Sequence, residues 1–304
     1  MRNTFIKKLI ELTDKDTFFF VGDLGFSVIE GFQKKFPKQF MNAGIAEQNM
    51  TGMSAGLALE GSKVFTYSIG NFNTTRCLEQ IRNDVCLHNL DVNIVSVGGG
   101  FIYGSLGYSH HAVQDIAMLG SLPNMTLLLP GDPHEVEFCM KYIFKNKGPK
   151  YLRIGKNGTP CFNKNPKTVK NINCFNENVK ANIAIISVST MLPTVVEINK
   201  ILEKKGIRSN IFSCPIIDKD FAADARKRFK KFDFIFTVEE HLSAFGFGSI
   251  ISNIFEGKKN TTKSFGAERD LCKLTGNQGY LCESHGLGAN NIASEIKKFI
   301  KINN

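Results

Sequence analysis

Five apolar runs recur along the chain, each closing in a turn: "TFFFVGD", "VNIVSVGGG", "MTLLLPGD", "ANIAIISVST" and "FDFIFTVEEH". Between them lie amphipathic stretches such as "TTRCLEQIRNDVCLHN", "DPHEVEFCMKYIFKN" and "LPTVVEINKILEKKG". Alternating buried strands and one-sided helices leave few folds open, and the pattern predicts α/β architecture with mostly parallel sheets covered by helices on both faces. In such sheets ligands gather at the carboxyl ends of the strands. The residues that follow the runs are therefore of interest: Asp23, the loop after Gly98, and Glu239. One stretch breaks the alternation. "KNGTPCFNKNPKTVKNINCFNENVK", Lys156 to Lys180, is rich in Asn, Lys and Pro and has no period. It divides the chain into an expected first domain (1–157), a linker (158–180) and a second domain (181–304).

A chain of 304 residues with 42% apolar composition can bury two cores of ordinary size. No uncharged apolar run approaches the about 20 residues that a membrane helix needs. The start, "MRNTFIKKLIELT", sets Lys7, Lys8 and Glu11 inside its apolar pattern, which predicts an amphipathic helix, not a signal peptide. A cytoplasmic location is expected. The eight cysteines (77, 86, 139, 161, 174, 214, 272 and 282) form no C-x-x-C pair, so they read as reduced thiols and not as a zinc site. The net charge of +10 raises nucleic-acid binding through "ARKRFKKFDF" (Ala225–Phe234), where basic and aromatic residues alternate. Positive charge is spread over the whole chain, which favours a solvated lysine-rich surface.

The stretch "NAGIAEQNMTGMSAGLALEG" (Asn42–Gly61) has helical character yet carries Gly52 and Gly56, each costing a helix about 1 kcal/mol against Ala. With Ala55 they strip one side nearly to backbone, so a second helix, from this or another polypeptide, is expected to approach closely. Glu47, in the first turn, suits the helix dipole. Shielded in such a contact it would be desolvated and drawn into proton transfer near neutral pH. "GGGFIYG" could cradle a phosphate or act as a flexible loop, and it lacks the dinucleotide fingerprint. Of the two adjacent histidines that follow, one is expected to point away from the site. "VGDLG" lacks the continuation of a magnesium–diphosphate motif, so no metal site is expected in this chain.

Several motifs, in order, resemble one family. "GIAEQNM" with "AGLALEG", "FNTTRCLEQIRND", "LPNMTLLLPGDPHEVE" and "GPKYLRIGK" are similar to the pyrimidine-binding domain of transketolases and deoxyxylulose-phosphate synthases. "TVEEHLSAFGFGS" resembles a signature of the family's C-terminal domain. The resemblance covers nearly the whole chain and corresponds to the C-terminal half of a transketolase, as found where the enzyme is split into two polypeptides. It implies thiamine diphosphate and magnesium, with the diphosphate and metal held by an N-terminal-half partner through a Gly-Asp-Gly…Asn motif absent here. It implies that Glu47 hydrogen-bonds the aminopyrimidine ring nitrogen and so promotes loss of the thiazolium proton. Phe72 and Ile69 would line the pyrimidine pocket, with Asp23 and Leu24 beside the cofactor. His110 would stabilise charge on the reacting sugar. Arg2, Ser27 and Lys156 would bind the substrate phosphate, Lys156 standing where the family has an Arg and losing its bidentate fork.

The sequence also departs from the family. Gly-Glu-Asp-Gly-Pro-Thr-His reads here as Gly104-Ser105-Leu106-Gly107-Tyr108-Ser109-His110, so the Asp that recognises a donor hydroxyl is Leu106. A phosphate-side histidine is Gly98. A non-standard donor is expected, because lost hydrogen-bond partners change discrimination by large factors. The expected function is that of a split-transketolase C-terminal subunit that transfers a two-carbon ketol unit and is paired with an N-terminal-half chain in a heterotetramer. The alternatives are a thiamine-dependent oxo-acid dehydrogenase β-type or deoxyxylulose-phosphate-synthase-like subunit and, outside enzymes, a basic binding module.

Overall fold

A computed structural model describes residues 1–156, 158–269 and 273–303; of the eight cysteines, Cys272 lies outside them. Twelve strands are formed among the described residues: β1 (Thr17–Val21), β2 (Phe40–Asn42), β3 (Lys63–Ile69), β4 (Val92–Val97), β5 (Thr126–Leu128), β6 (Lys150–Ile154), β7 (Asn173–Cys174), β8 (Ile183–Ser187), β9 (Asn210–Ser213), β10 (Ile216–Ile217), β11 (Phe234–Leu242) and β12 (Thr261–Ala267). They make a seven-stranded sheet in the order β10-β5-β6-β4-β3-β1-β2 and a five-stranded sheet in the order β12-β11-β8-β9-β7. Every pairing is parallel except those of the edge strands β10 and β7. The α/β architecture read from the alternating runs is thus the one observed.

Residues on alternate sides of the first sheet feed different cores. Phe19, Phe65 and Tyr67 face helix Arg2–Leu12, where Phe5 stacks on Tyr67 at 5.8 Å and 9°. Phe20 and Val64 face helix Glu47–Leu59 through Met50, Ala55 and Ala58. The opening amphipathic stretch forms helix Arg2–Leu12 with Phe5, Ile6 and Leu9 buried. "TTRCLEQIRNDVCLHN" does not make one regular helix. It runs through a 3₁₀ turn (Thr75–Cys77), a short α segment (Leu78–Gln80) and a π-helical turn (Ile81–Cys86), an irregularity that often marks functional sites.

The two sheets are bound to each other. Ile216 and Ile217, from the sequence after β9, pair antiparallel with Leu128 and Leu127 of the first sheet. Glu135, at the start of helix Pro133–Lys145, accepts from Gly131 N, Ser213 Oγ and Asn173 Nδ2 and thereby ties β7 and β9 to the first sheet. Buried Arg153 donates to Asp115 at 2.7 Å and to the carbonyls of Ala112 and Glu240. The stretch read as a linker contains a 3₁₀ turn (Pro166–Thr168) and contributes β7 to the edge of the second sheet.

Candidate active site

The central strands β6, β4 and β3 end in register, Ile69 opposite Val97 and Val97 opposite Ile154, while β1 stops short of them with Val21 opposite Tyr67. Each is followed by glycine: Gly22, Gly70, Gly98 and Gly155. The sheet rim is therefore thin, and other segments cross it closely. A Cβ on Gly22 would lie 3.3 Å from Glu47, one on Gly70 2.5 Å from Ala112, and one on Gly98 2.2 Å from Tyr103.

Glu47 opens helix Glu47–Leu59 and is 1% exposed. Its Oε1 accepts from Ser68 Oγ at 2.9 Å, and its Oε2 is paired with Arg76 Nη1 at 2.7 Å. The sequence reading attributes desolvation of this acid to a close helix contact. Within the chain the burial has another source. A Cβ on Gly52 or Gly56 would meet nothing within 4 Å, so the glycine face is open and burial comes from the sheet rim. The carboxylate is also compensated by a cation that sequence reasoning did not assign a role, although Arg76 stands inside the quoted motif "FNTTRCLEQIRND".

Arg76 extends the cluster. Its guanidinium lies over the Phe72 ring at 4.6 Å, and Phe72 meets the His110 ring edge-on at 5.1 Å. Asn71 Nδ2 donates to the carbonyls of Ser109 and His111, pinning the histidine loop to the loop after β3. Burial and the neighbouring His111 lower the His110 pKa, favouring the neutral ring at pH 7, where Nδ1 meets Ser109 Oγ at 3.0 Å. His111 turns away, as expected of one of the pair: it is buried, edge-on to Phe101, with Nε2 on Gly104 O.

Asp23 lies on the rim at φ 53°, its N–H donating to Asn42 Oδ1 and its Oδ1 accepting from Asn42 Nδ2. Leu24 and Ile69 pack toward the core under helix Arg2–Leu12, and Ile69 projects from the sheet face opposite Ser68. Ile69 meets the Glu47 cluster through its backbone, its carbonyl accepting from Phe72 N at 3.0 Å. Ser27, at φ 65°, donates its N–H to Glu30 Oε1. Lys156 lies over the Tyr103 ring at 5.0 Å, and the Arg2 guanidinium lies beside Tyr67. Leu106 is 57% exposed and offers no hydrogen bond where the family's Asp would. Glu239 is structural: both oxygens accept backbone N–H groups of Phe247 and Gly248, and burial pushes its carboxyl up to about 7.

Two other expectations can be set against the geometry. Phe229 and Phe232 of the basic stretch are fully buried, so they are not available to stack on bases. Among the described residues no group of three or more His, Cys, Asp or Glu is placed to hold a metal ion, and no helix is long and apolar enough to cross a membrane.

A buried, arginine-paired acid thus lies beside an aromatic ring at the carboxyl rim of a parallel sheet, on a two-sheet α/β chain. Residues 1–160 match the transketolase pyrimidine-binding domain, and residues 176–291 match the transketolase C-terminal domain. The chain belongs to the transketolase family. It is 31% identical over 304 residues to one of the subunits of the apulose-4-phosphate transketolase of Phocaeicola vulgatus, covering 99% of this chain and 97% of that protein. It is 29% identical over 268 residues to the like-named polypeptide of Actinobacillus succinogenes, covering 87% and 86%. The solved structure of a split-gene transketolase, an inactive β4 tetramer, superposes with a TM-score of 0.85 at 28% identity over 98% of this chain and 97% of that one. The match to subunit-sized relatives runs end to end, as the motif order implied.

Proposed function

We propose that this chain is the C-terminal subunit of a two-chain, thiamine-diphosphate-dependent transketolase that acts in the cytoplasm and moves a two-carbon ketol unit between sugars. The observation that carries this reading is the Glu47–Arg76 pair beside Phe72, set in a chain that matches half-enzyme subunits along their whole length. The residues present fit the cofactor's aminopyrimidine: Glu47 is a buried acceptor that can meet a ring nitrogen, and Phe72 is an aromatic wall. Ile69 would close the pocket from the other face, with Asp23 and Leu24 at its edge. Bound there, thiamine diphosphate supplies a carbon nucleophile that takes the ketol unit from its donor.

The chain's own residues orient and protonate. Arg76 holds the Glu47 carboxylate in place through their 2.7 Å ion pair, so that the acid can meet a ring nitrogen. His110, neutral and held edge-on to Phe72, can donate to or accept from a sugar oxygen. Arg2, Ser27 and Lys156 receive an anionic sugar end. The diphosphate and magnesium are assigned to an N-terminal-half partner. An open glycine face and the exposed Ile45 (77%) and Leu59 (63%) support a partner surface along helix Glu47–Leu59, with two such pairs forming a heterotetramer. The inactivity of the related β4 tetramer is in keeping with a need for that partner. The test is Glu47→Gln in the reconstituted pair. Ketol transfer is expected to fall by at least about a hundredfold with the fold intact, the scale of a lost general acid–base group. Near-normal turnover would refute the assignment.

A further inference from the structure

We propose that the cavity between the histidine loop and the ends of β11 and β12 is a binding site for an aromatic α-amino acid, separate from the rim that carries Glu47. This goes beyond the transketolase reading and does not depend on it.

The cavity has a volume of about 300 Å³ and lies where the second sheet meets the loop that follows Gly98. His110 packs against Phe72, whereas the next residue, His111, lines this space. The walls are joined by backbone. Leu242 N donates to Val113 O at 2.9 Å, and Leu242 is opposite Ala267 in the register of β11 and β12. The space is therefore formed before any ligand arrives. An apolar cavity of about 150 Å³ takes up benzene, so this one has room for a ring and a short chain.

Its interior favours a ring. Phe101 stacks on His285 at 4.8 Å and 14° and meets His111 edge-on at 5.3 Å. Tyr108 meets His111 edge-on at 6.1 Å. A planar aromatic group gains offset and edge-to-face contacts here that an aliphatic chain does not. Burial and the neighbouring His111 lower the His285 pKa, so its ring is neutral at pH 7, with Nδ1 accepting from Glu268 N at 3.3 Å.

Formal charge belongs to the mouth. Glu268 and Arg269 are consecutive, exposed, and both line the opening. The Arg269 guanidinium lies over the exposed Phe245 ring at 5.3 Å, which restrains it. Consecutive Cα atoms stand about 3.8 Å apart, close to the scale on which an α-amino acid carries ammonium and carboxylate on one carbon. A simple anion would meet Glu268 as a like charge, and a simple cation would meet Arg269 so. A zwitterion meets each with its opposite, while its ring enters between Val113 and Ala267.

Full-length protein is titrated calorimetrically with L-phenylalanine, 3-phenylpropanoate, which lacks the ammonium, and 2-phenylethylamine, which lacks the carboxylate. L-phenylalanine is expected to bind saturably and each analogue at least about tenfold more weakly, the scale of one hydrogen bond to a charged group. Arg269→Gln should weaken L-phenylalanine to a similar degree and leave 2-phenylethylamine unchanged. Glu268→Gln should weaken L-phenylalanine and leave 3-phenylpropanoate unchanged. Both side chains are exposed, so neither change threatens the fold. In proton NMR spectra the imidazole signals of His111 and His285 are expected to move with L-phenylalanine, and those of His88 and His134 to stay. No saturable binding, equal affinity for the three compounds, indifference to both substitutions, or shifts that spare His111 and His285 would each overturn the proposal.

Discussion

A double-mutant cycle on Glu47 and Arg76 measures how far the acid depends on its arginine. Glu47→Gln keeps the side-chain volume and removes the charge; Arg76→Met keeps an alkyl stem over Phe72 and removes the guanidinium. The pair is 2.7 Å apart, with the Glu47 side chain 1% exposed and that of Arg76 42% exposed. Breaking a fully buried pair from one side costs about 3–5 kcal/mol, and an exposed pair is worth only about 0.2–1 kcal/mol. One buried and one partly solvated partner places Arg76→Met between these, at about 2 kcal/mol, because the carboxylate loses its counter-charge while Ser68 still donates to it. Glu47→Gln is expected to cost about 1 kcal/mol, since the exposed guanidinium can turn to water. The coupling energy, read from urea unfolding followed by far-UV circular dichroism at neutral pH, is then about 1–2 kcal/mol. A coupling below about 0.5 kcal/mol would show that the two charges are independent and that Arg76 does not hold the acid.

Gly52→Ala with Gly56→Ala tests the open helix face. No atom lies within 4 Å of either added Cβ, so the isolated chain is expected to gain up to about 1 kcal/mol per site, whereas assembly with the partner should weaken. A gain in both, measured by thermal melting and by sedimentation of the mixture, would mean that nothing packs there. Burial raises the Glu135 carboxyl from the ordinary 4.5 to about 7. A raised acid favours the folded state only while protonated, so the fold should lose about 3 kcal/mol at this site as pH rises from about 4.5 to about 7. Glu135→Gln is expected to flatten the fall in melting temperature across that window, and an unchanged pH profile would contradict the role of burial.

The strands were legible because runs such as Thr17–Val21 and Ile183–Ser187 are apolar on both faces, as strands inside a covered parallel sheet must be. Strand β10 was not, since two residues carry no period and its pairing with β5 is set by tertiary contact. Glu47 and His110 stood out through motif and order. The Arg76 pairing spans 29 residues, and the Tyr103 ring lies where residue 98 has no side chain. Nothing local in the sequence marks either, because both depend on where the strand ends bring loops together. The glycines of helix Glu47–Leu59 were conspicuous, yet the sequence could not say whether their partner lay inside the chain, and within the chain that face is open.

Thiamine diphosphate binding by the purified chain, alone and after mixing with an N-terminal-half chain, bears most directly on the half-site. Calorimetric titration in the presence of magnesium is expected to show tight binding only for the mixture, and Glu47→Gln should weaken it. Equally tight binding and full ketol transfer by the single chain, or no binding with any such partner, would contradict the assignment of this polypeptide as half of a shared active centre.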